Sequence, residues 1–297
     1  MNACRLCPRE CGALRLEKSG DGYCRMGTMP SVARAALHYW EEPCISGTKG
    51  SGTVFFTGCS LQCVFCQNEQ ISLRREVGKY LTPKQLSEVF FHLVDQGAHN
   101  INLVSACHFA PAVAEALSYR KLPVPVVYNS SGYESIETLH MLEGLIDIYL
   151  PDYKYDDPAL SKELSDAENY VTSARQAILE MVRQTGPCVI DHEGLMQRGT
   201  IVRHLILPGH TKNSIAALDW MKENLPKGVL VSLMAQYLPC GKAKEMPPID
   251  RRITEREYQK VQSHLFQLGL EGFVQDRASA QKKFIPSFCL EGLESFE

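Results

Sequence analysis

The chain is predicted to be an α/β protein whose parallel sheet, covered by helices, curls into a barrel or partial barrel. Three observations predict this. From about Thr53 onward, six short runs rich in Val, Ile and Leu alternate with segments of helical apolar spacing. Strands buried on both faces read as such continuous apolar runs, and strand–helix alternation is the mark of a parallel sheet. Right-handed crossovers then give the sheet its curl. The first 50 residues break the pattern, with four close-spaced cysteines, several glycines and little apolar periodicity.

The elements follow in order. Residues 53–57 (Thr-Val-Phe-Phe-Thr) form a buried strand that stops at Gly58. Thr82-Pro83 opens a helix with Leu86, Val89, Phe90, Leu93 and Val94 on one face, and Gly97 closes it. Strands are expected at 101–104, 124–128 and 146–150, separated by helices at 111–117 and 135–142. A helix near 174–184 carries Ala174, Ile178, Met181 and Val182 on one face. Residues 201–206 and 229–234 complete the strands, followed by helices at 214–223 and 255–268. The organisation expected is a metal-binding extension and arm over residues 1–50, then a barrel with a C-terminal helix and tail over 51–297.

The 297 residues are 44% hydrophobic, enough for one large core, and the formal net charge is −3. No run of Lys or Arg exceeds two residues, so the concentrated positive face that nucleic acid or an anionic membrane requires is not expected. No apolar stretch approaches the ~20 residues of a membrane span, and Met1-Asn2-Ala3-Cys4-Arg5 lacks a secretory apolar core. A cytoplasmic protein is expected. Its twelve cysteines would then be reduced, and close-spaced cysteines in a reducing compartment suggest metal.

Seven cysteines fall in two groups, while Cys44, Cys107, Cys188, Cys240 and Cys289 are scattered. Cys59, Cys63 and Cys66 follow the first strand as C-x3-C-x2-C. Three thiolates on one loop can ligate three irons of a cubane and leave the fourth open to a chelating ligand. The alternative is a zinc staple, which asks for four closed ligands; the loop has no His and no adjacent fourth Cys. Cys4, Cys7, Cys11 and Cys24 form C-x2-C-x3-C-x12-C, which suits either a closed Zn²⁺ site or a second iron–sulfur centre. Residues 47–52 are glycine-rich but lack the Gly-Lys-Ser/Thr order of a phosphate loop. Glu41 and Glu42, just before them, read as ordinary surface charges.

The run Gly58-Cys59-Ser60-Leu61-Gln62-Cys63-Val64-Phe65-Cys66-Gln67-Asn68 resembles the radical S-adenosylmethionine (SAM) superfamily. Within it, the run is similar to the branch of pyruvate formate-lyase activating enzymes, in particular relatives with an extra N-terminal cysteine motif. Asn129-Ser130-Ser131-Gly132-Tyr133, Leu150-Pro151-Asp152-Tyr153-Lys154 and residues 201–209 extend the likeness over most of residues 1–240. The resemblance implies a partial parallel (β/α)6 TIM-like barrel holding a [4Fe–4S] cluster and SAM. It implies reductive cleavage of SAM to a 5′-deoxyadenosyl radical that abstracts hydrogen, with a glycyl radical enzyme or a peptide as target. A flavodoxin- or ferredoxin-type donor would supply electrons. Radical modification of a small molecule, or a non-catalytic iron–sulfur electron carrier or redox sensor, are the other functions considered.

By the same resemblance, Phe65 would flank the adenine and Asn129 would meet the adenosyl or methionyl part. Asp152 and Lys154 would lie near the methionine carboxylate or a bound cation, and Arg203 would pair with that carboxylate. Many relatives place an acid after the second strand to bind the SAM amine. This chain has Val104-Ser105-Ala106-Cys107-His108 there, so Ser105 or main-chain carbonyls take that role, and Cys107 and His108 become candidates for hydrogen transfer or substrate contact.

Overall fold

The computed structural model describes residues 4–281 and 286–296. Met1, Asn2 and Ala3, used above to judge the N-terminus, lie outside the described residues, as do 282–285 and 297 of the expected tail. After the cysteine-rich segment come β1 (Ser31–His38), α1 (Pro43–Ser46), β2 (Ser51–Phe56), α2 (Glu69–Ser72), β3 (Lys79–Tyr80) and α3 (Pro83–Asp95). Next are β4 (Ile101–Val104), α4 (Ala110–Ser118), β5 (Val126–Ser130), α5 (Ile136–Leu142) and β6 (Ile148–Pro151). The chain continues through α6 (Pro158–Ser165), α7 (Tyr170–Thr185), β7 (Val189–Ile190), β8 (Met196–Leu205) and α8 (Thr211–Asn224). It ends with β9 (Leu230–Met234), α9 (Glu255–Leu268) and β10 (Gly272–Val274).

The strand order is β10-β9-β8-β6-β5-β4-β2-β1-β3, with β7 paired to β8. From β2 to β10 the neighbours run parallel, while β1 joins β2, and β3 joins β1, antiparallel. The α/β class and the mostly parallel sheet are therefore as expected. Among the described residues no pairing joins the two sheet edges, so the sheet is open and a barrel, full or partial, is not established by the pairing. Four strands lie beyond the six expected, and β3 and β7 among them have only two residues each. The remaining two are β1, inside the stretch assigned to the extension, and the three-residue β10.

Period-two alternation sorts each strand's side chains between two faces. Val54, Phe56, Leu103, Tyr128 and Tyr149 pack with α3, α4 and α5, and Val202, Val231 and Leu233 pack with α6, α8 and α9. The other face carries Val127, Ile148, Leu150 and Ile201, which pack against Cys44 and Ile45 of α1. The short α1 thus lies across the face that the long helices leave open, and it draws its preceding residues, Glu41 and Glu42, in with it. Helix starts follow local chemistry. Thr82 closes a capping box with Gln85, with Pro83 in the first turn, and Thr254 does the same with Glu257 at α9.

Candidate functional site

Residues lining the site stand at the C-terminal ends of parallel strands, held level by the pairing register. Phe55 of β2 faces Val104 of β4, and Val104 faces Asn129 of β5. Beyond β6, Asp152 forms an isolated parallel bridge with Arg203 of β8, fixed by the Tyr153 N–H donating to the Arg203 carbonyl at 2.8 Å. That bridge sets the two side chains next to one another.

Arg203 is the hub. Its Nε donates to Asp152 Oδ1 at 2.9 Å, one Nη to Glu41 Oε2 at 3.2 Å and the other to Asn129 Oδ1 at 2.6 Å. Lys154 Nζ pairs with Asp152 Oδ2. Glu41 Oε1 accepts from Asn129 Nδ2 at 3.1 Å and Asn102 Nδ2 at 3.3 Å. Burial drives the Asp152 carboxyl upward, yet Arg203 and Lys154 outweigh it and hold Asp152 below the usual carboxylate range. Burial lowers Lys154, but Asp152 beside it more than reverses the effect. For Glu41 and Glu42 burial prevails over the attraction of Arg203, and both carboxyls are pushed up. Reading these two glutamates as surface charges is therefore wrong: Glu42 is 6% exposed, and Glu41 belongs to the Arg203 network.

Two cavities open on this network. One, of about 230 Å³, is lined by Glu41, Asn129 and Arg203 together with Trp40, Phe55 and the amides of Gln67, Asn68, Gln236 and Gln275. The other, of about 190 Å³, adds Cys63, Phe65, Cys66, Asp152, Lys154 and Tyr237. The sequence-predicted Phe65, Asn129, Asp152, Lys154 and Arg203 are thus brought together, beside two of the three loop cysteines.

The cysteine loop is anchored on both sides. Gly58 turns the chain off β2 at φ 89°, a conformation that favours glycine. Leu61 and Phe65 are buried as apolar anchors, the Val64 N–H donates to the Leu164 carbonyl at 2.9 Å, and the Ala243 N–H donates to the Val64 carbonyl at 3.1 Å. Each sulfur has a polar neighbour. The Leu61 N–H donates to Cys59 Sγ at 3.3 Å, the Ser165 hydroxyl donates to Cys63 Sγ at 3.0 Å, and Ser72 Oγ lies 3.1 Å from Cys66 Sγ. Burial, then Cys63, pushes the Cys66 thiol up to about 11 and raises Cys59 as well, with Lys154 pulling both back.

Among the described residues no three His, Cys, Asp or Glu side chains converge as ready ligands of one metal ion. A cubane does not ask for that convergence, because its three thiolates bind three different irons. Three thiols on one loop, Cys63 buried and Cys59 and Cys66 half-buried, each with a hydrogen-bonding neighbour, match the donor set and the outer shell such a cluster uses. Cys4, Cys7, Cys11 and Cys24 are free thiols in the turns ahead of β1. Burial pushes Cys7 up to about 12, with Cys24, Cys11 and Cys4 adding to the rise. A Cβ on Gly22 would come within 2.9 Å of Cys11 Sγ, so a glycine is what lets the chain pass this sulfur.

The residues after β4 are placed differently from the expectation. Cys107 is buried and donates to the Leu6 carbonyl at 3.1 Å; His108 Nε2 lies 2.8 Å from the Thr57 carbonyl, and burial lowers the ring to about 4. Ser105, at φ 60°, donates its N–H to the Asn129 carbonyl at 3.0 Å. None of the three lines either cavity. A carboxylate does line the first cavity: Glu41, which reaches it from the opposite end of the sheet.

No protein-family model matches the chain. The uncharacterized protein MJ0674 of Methanocaldococcus jannaschii is 30% identical over 267 residues, covering 87% of this chain and 72% of that protein. The chain belongs to the family of MJ0674. Solved structures resemble it more loosely. Methylornithine synthase (PylB) is 16% identical with a TM-score of 0.48, over 82% of this chain and 72% of its own. Streptococcus suis SuiB bound to S-adenosylmethionine is 12% identical with a TM-score of 0.47, over 74% of this chain and 48% of its own. A domain of pyruvate-formate lyase-activating enzyme from Bacteroides vulgatus is 15% identical with a TM-score of 0.36, over 65% of this chain and 91% of its own. This chain thus spans about half of SuiB, and at TM-scores below 0.5 none of these likenesses bears on activity. No helix among the described residues is long and apolar enough to cross a membrane.

Proposed function

We propose that this protein is a radical SAM enzyme whose cluster is held by Cys59, Cys63 and Cys66. The observation that carries the reading is the position of the cysteine loop: it opens into a cavity shared with Asp152, Lys154 and Arg203, at the strand ends where parallel α/β proteins place their chemistry. When bound, a [4Fe–4S] cluster with one open iron supplies the electron that cleaves SAM to methionine and a 5′-deoxyadenosyl radical.

The chain's own residues bind and orient. The planar fork of Arg203 suits the methionyl carboxylate, and Asp152 and Glu41 keep that fork aimed. Glu41 is the acid available to the SAM ammonium, the role that Ser105 loses. Asn129 presents its amide to the adenosyl or methionyl part, and Phe65, against Tyr237 with ring centroids 5.9 Å apart, offers an apolar wall for the adenine. The four N-terminal cysteines hold Zn²⁺ or a second iron–sulfur centre. The target is a glycyl radical enzyme or another peptide, and a flavodoxin- or ferredoxin-type protein supplies the electron.

Arg203→Lys tests the binding role. Alanine at this position would leave the largely buried Glu41 without its cation and Asp152 with Lys154 alone, which costs about 3–5 kcal/mol in fold stability. Lysine keeps the charge and loses the fork. SAM should bind about tenfold more weakly or worse, with iron per chain unchanged, as read by equilibrium binding to the reconstituted protein. Unchanged affinity would remove Arg203 from the SAM site.

A further inference from the structure

Arg9 lies between Cys7 and Cys11, on a turn closed by the Glu10 N–H donating to the Cys7 carbonyl at 3.0 Å. Its guanidinium leaves the N-terminal segment and enters the seam between the cysteine loop and the end of α6. Nε donates to the Ser60 carbonyl at 2.9 Å, within the loop itself. One Nη donates to the Ser165 carbonyl at 3.2 Å and the other to the Asp166 carbonyl. The last two acceptors are the ends of α6, where a cation also meets the negative end of the helix dipole. The group is held from behind by the Tyr23 ring, whose centroid is 3.7 Å from the guanidinium carbon. Its side chain is only 13% exposed.

Ser165 has a second task. Its hydroxyl, fully buried, donates to Cys63 Sγ at 3.0 Å and meets Tyr155 Oη at 2.6 Å. The same residue therefore takes Arg9 on its carbonyl and gives a hydrogen bond to a loop sulfur from its side chain. Beside it, the Leu164 carbonyl accepts from Val64 N–H in the loop. One guanidinium thus ties together the loop, the helix end and the donor to Cys63.

We propose that Arg9 is a positioning residue through which the N-terminal cysteine segment sets the hydrogen bond from Ser165 to Cys63, and with it the reduction potential of the centre held by the loop. The part concerning potential rests on the cluster reading above. The part concerning Cys63 itself does not, which separates the two in the test. Hydrogen bonds to a ligating sulfur stabilise the more electron-rich reduced state, so their loss lowers the potential.

The experiment compares the full-length wild type with Arg9→Ala, Arg9→Lys, Ser165→Ala and the Arg9→Ala/Ser165→Ala double variant. In anaerobically reconstituted protein, an EPR-monitored titration should place both single alanine variants at lower potential than wild type. The double variant should lie no lower than Ser165→Ala, because Arg9 acts through the bond that Ser165→Ala already removes. Arg9→Lys, a point charge able to reach only part of the seam, should fall between wild type and Arg9→Ala, and it decides the matter if Arg9→Ala does not fold. In metal-free protein Cys63 is only 9% exposed, so access limits its reaction, and opening the seam by Arg9→Ala should raise the rate at which iodoacetamide alkylates it by about fivefold. An unshifted potential in Arg9→Ala and Arg9→Lys, or additive shifts in the double variant, would overturn the proposal. Alkylation of Cys63 at the wild-type rate would overturn it even if no cluster can be loaded, an outcome that would count separately against the cluster.

Discussion

Among the described residues Glu134 makes no ion pair, and Lys154 acts on it only weakly from a distance. Glu134 is 3% exposed, and the Ser130 hydroxyl donates to its Oε2 at 2.8 Å. Burial raises it from 4.5 to about 7, against the pull of that hydrogen bond. The folded state therefore holds this proton where the unfolded chain has lost it. The stability linked to Glu134 is complete below about pH 4.5 and is lost as pH rises through about 7. A shift of this size is worth about 3 kcal/mol. Glu134→Gln keeps the acceptor and cannot ionise, so urea unfolding followed across that range should show a flatter fall in stability than wild type. An identical pH profile would mean that the carboxyl titrates normally. Arg203, Asp152 and Lys154 present the opposite case, since each has a paired charge within hydrogen-bonding reach. Their motifs were legible in the sequence because they follow strands at fixed places. Glu41 was not: its neighbours are Trp40, Pro43 and glycines, a run that reads as a surface arm, and only the placement of α1 across the sheet face turns it inward.

Gly58 decides whether the cysteine loop can leave β2 at all. At φ 89° a side chain is strained, and a Cβ there would collide with Met26 and approach His108 Nε2 to 3.1 Å. Gly58→Ala should cost about 1–3 kcal/mol and reduce iron per chain after reconstitution. Wild-type stability together with full iron loading would show that the turn is not needed. Six of the helices and six of the parallel strands were legible because apolar spacing repeats over enough residues to count, and because Thr82-Pro83 states where a helix starts; the short α1, α2 and α6 were not. Where the period fails, so does the reading. β1 is Ser-Val-Ala-Arg-Ala-Ala-Leu-His, too rich in alanine to show alternation or strand preference, and it joins the sheet through its pairing with β2. β10 is three residues long and starts with Gly272; its strand character comes from its parallel register with Val231, Ser232 and Leu233.

Over the whole molecule, the cysteine-rich segment is docked on the mouth of the sheet. Cys107 and Thr138 donate to the Leu6 carbonyl, Asn169 donates to that of Pro8, and Arg9 enters the seam beside the cysteine loop. Two cysteine groups separated by 34 residues in the sequence, from Cys24 to Cys59, are thereby joined through a few polar contacts. The sequence shows both groups and cannot show that they meet, because docking of this kind leaves no periodic trace. The same long-range folding brings Glu41 to Arg203 and gives the cavity its acid. All of this converges on one claim, that the loop, the Arg203 network and the cavity between them exist to cleave SAM. The direct test is 5′-deoxyadenosine formation by anaerobically reconstituted protein given SAM and a strong one-electron reductant, beside a variant with Cys59, Cys63 and Cys66 all changed to Ala. Product is expected from the wild type and none above background from the variant. Equal product from both, or none from wild type carrying an intact cluster, would contradict it.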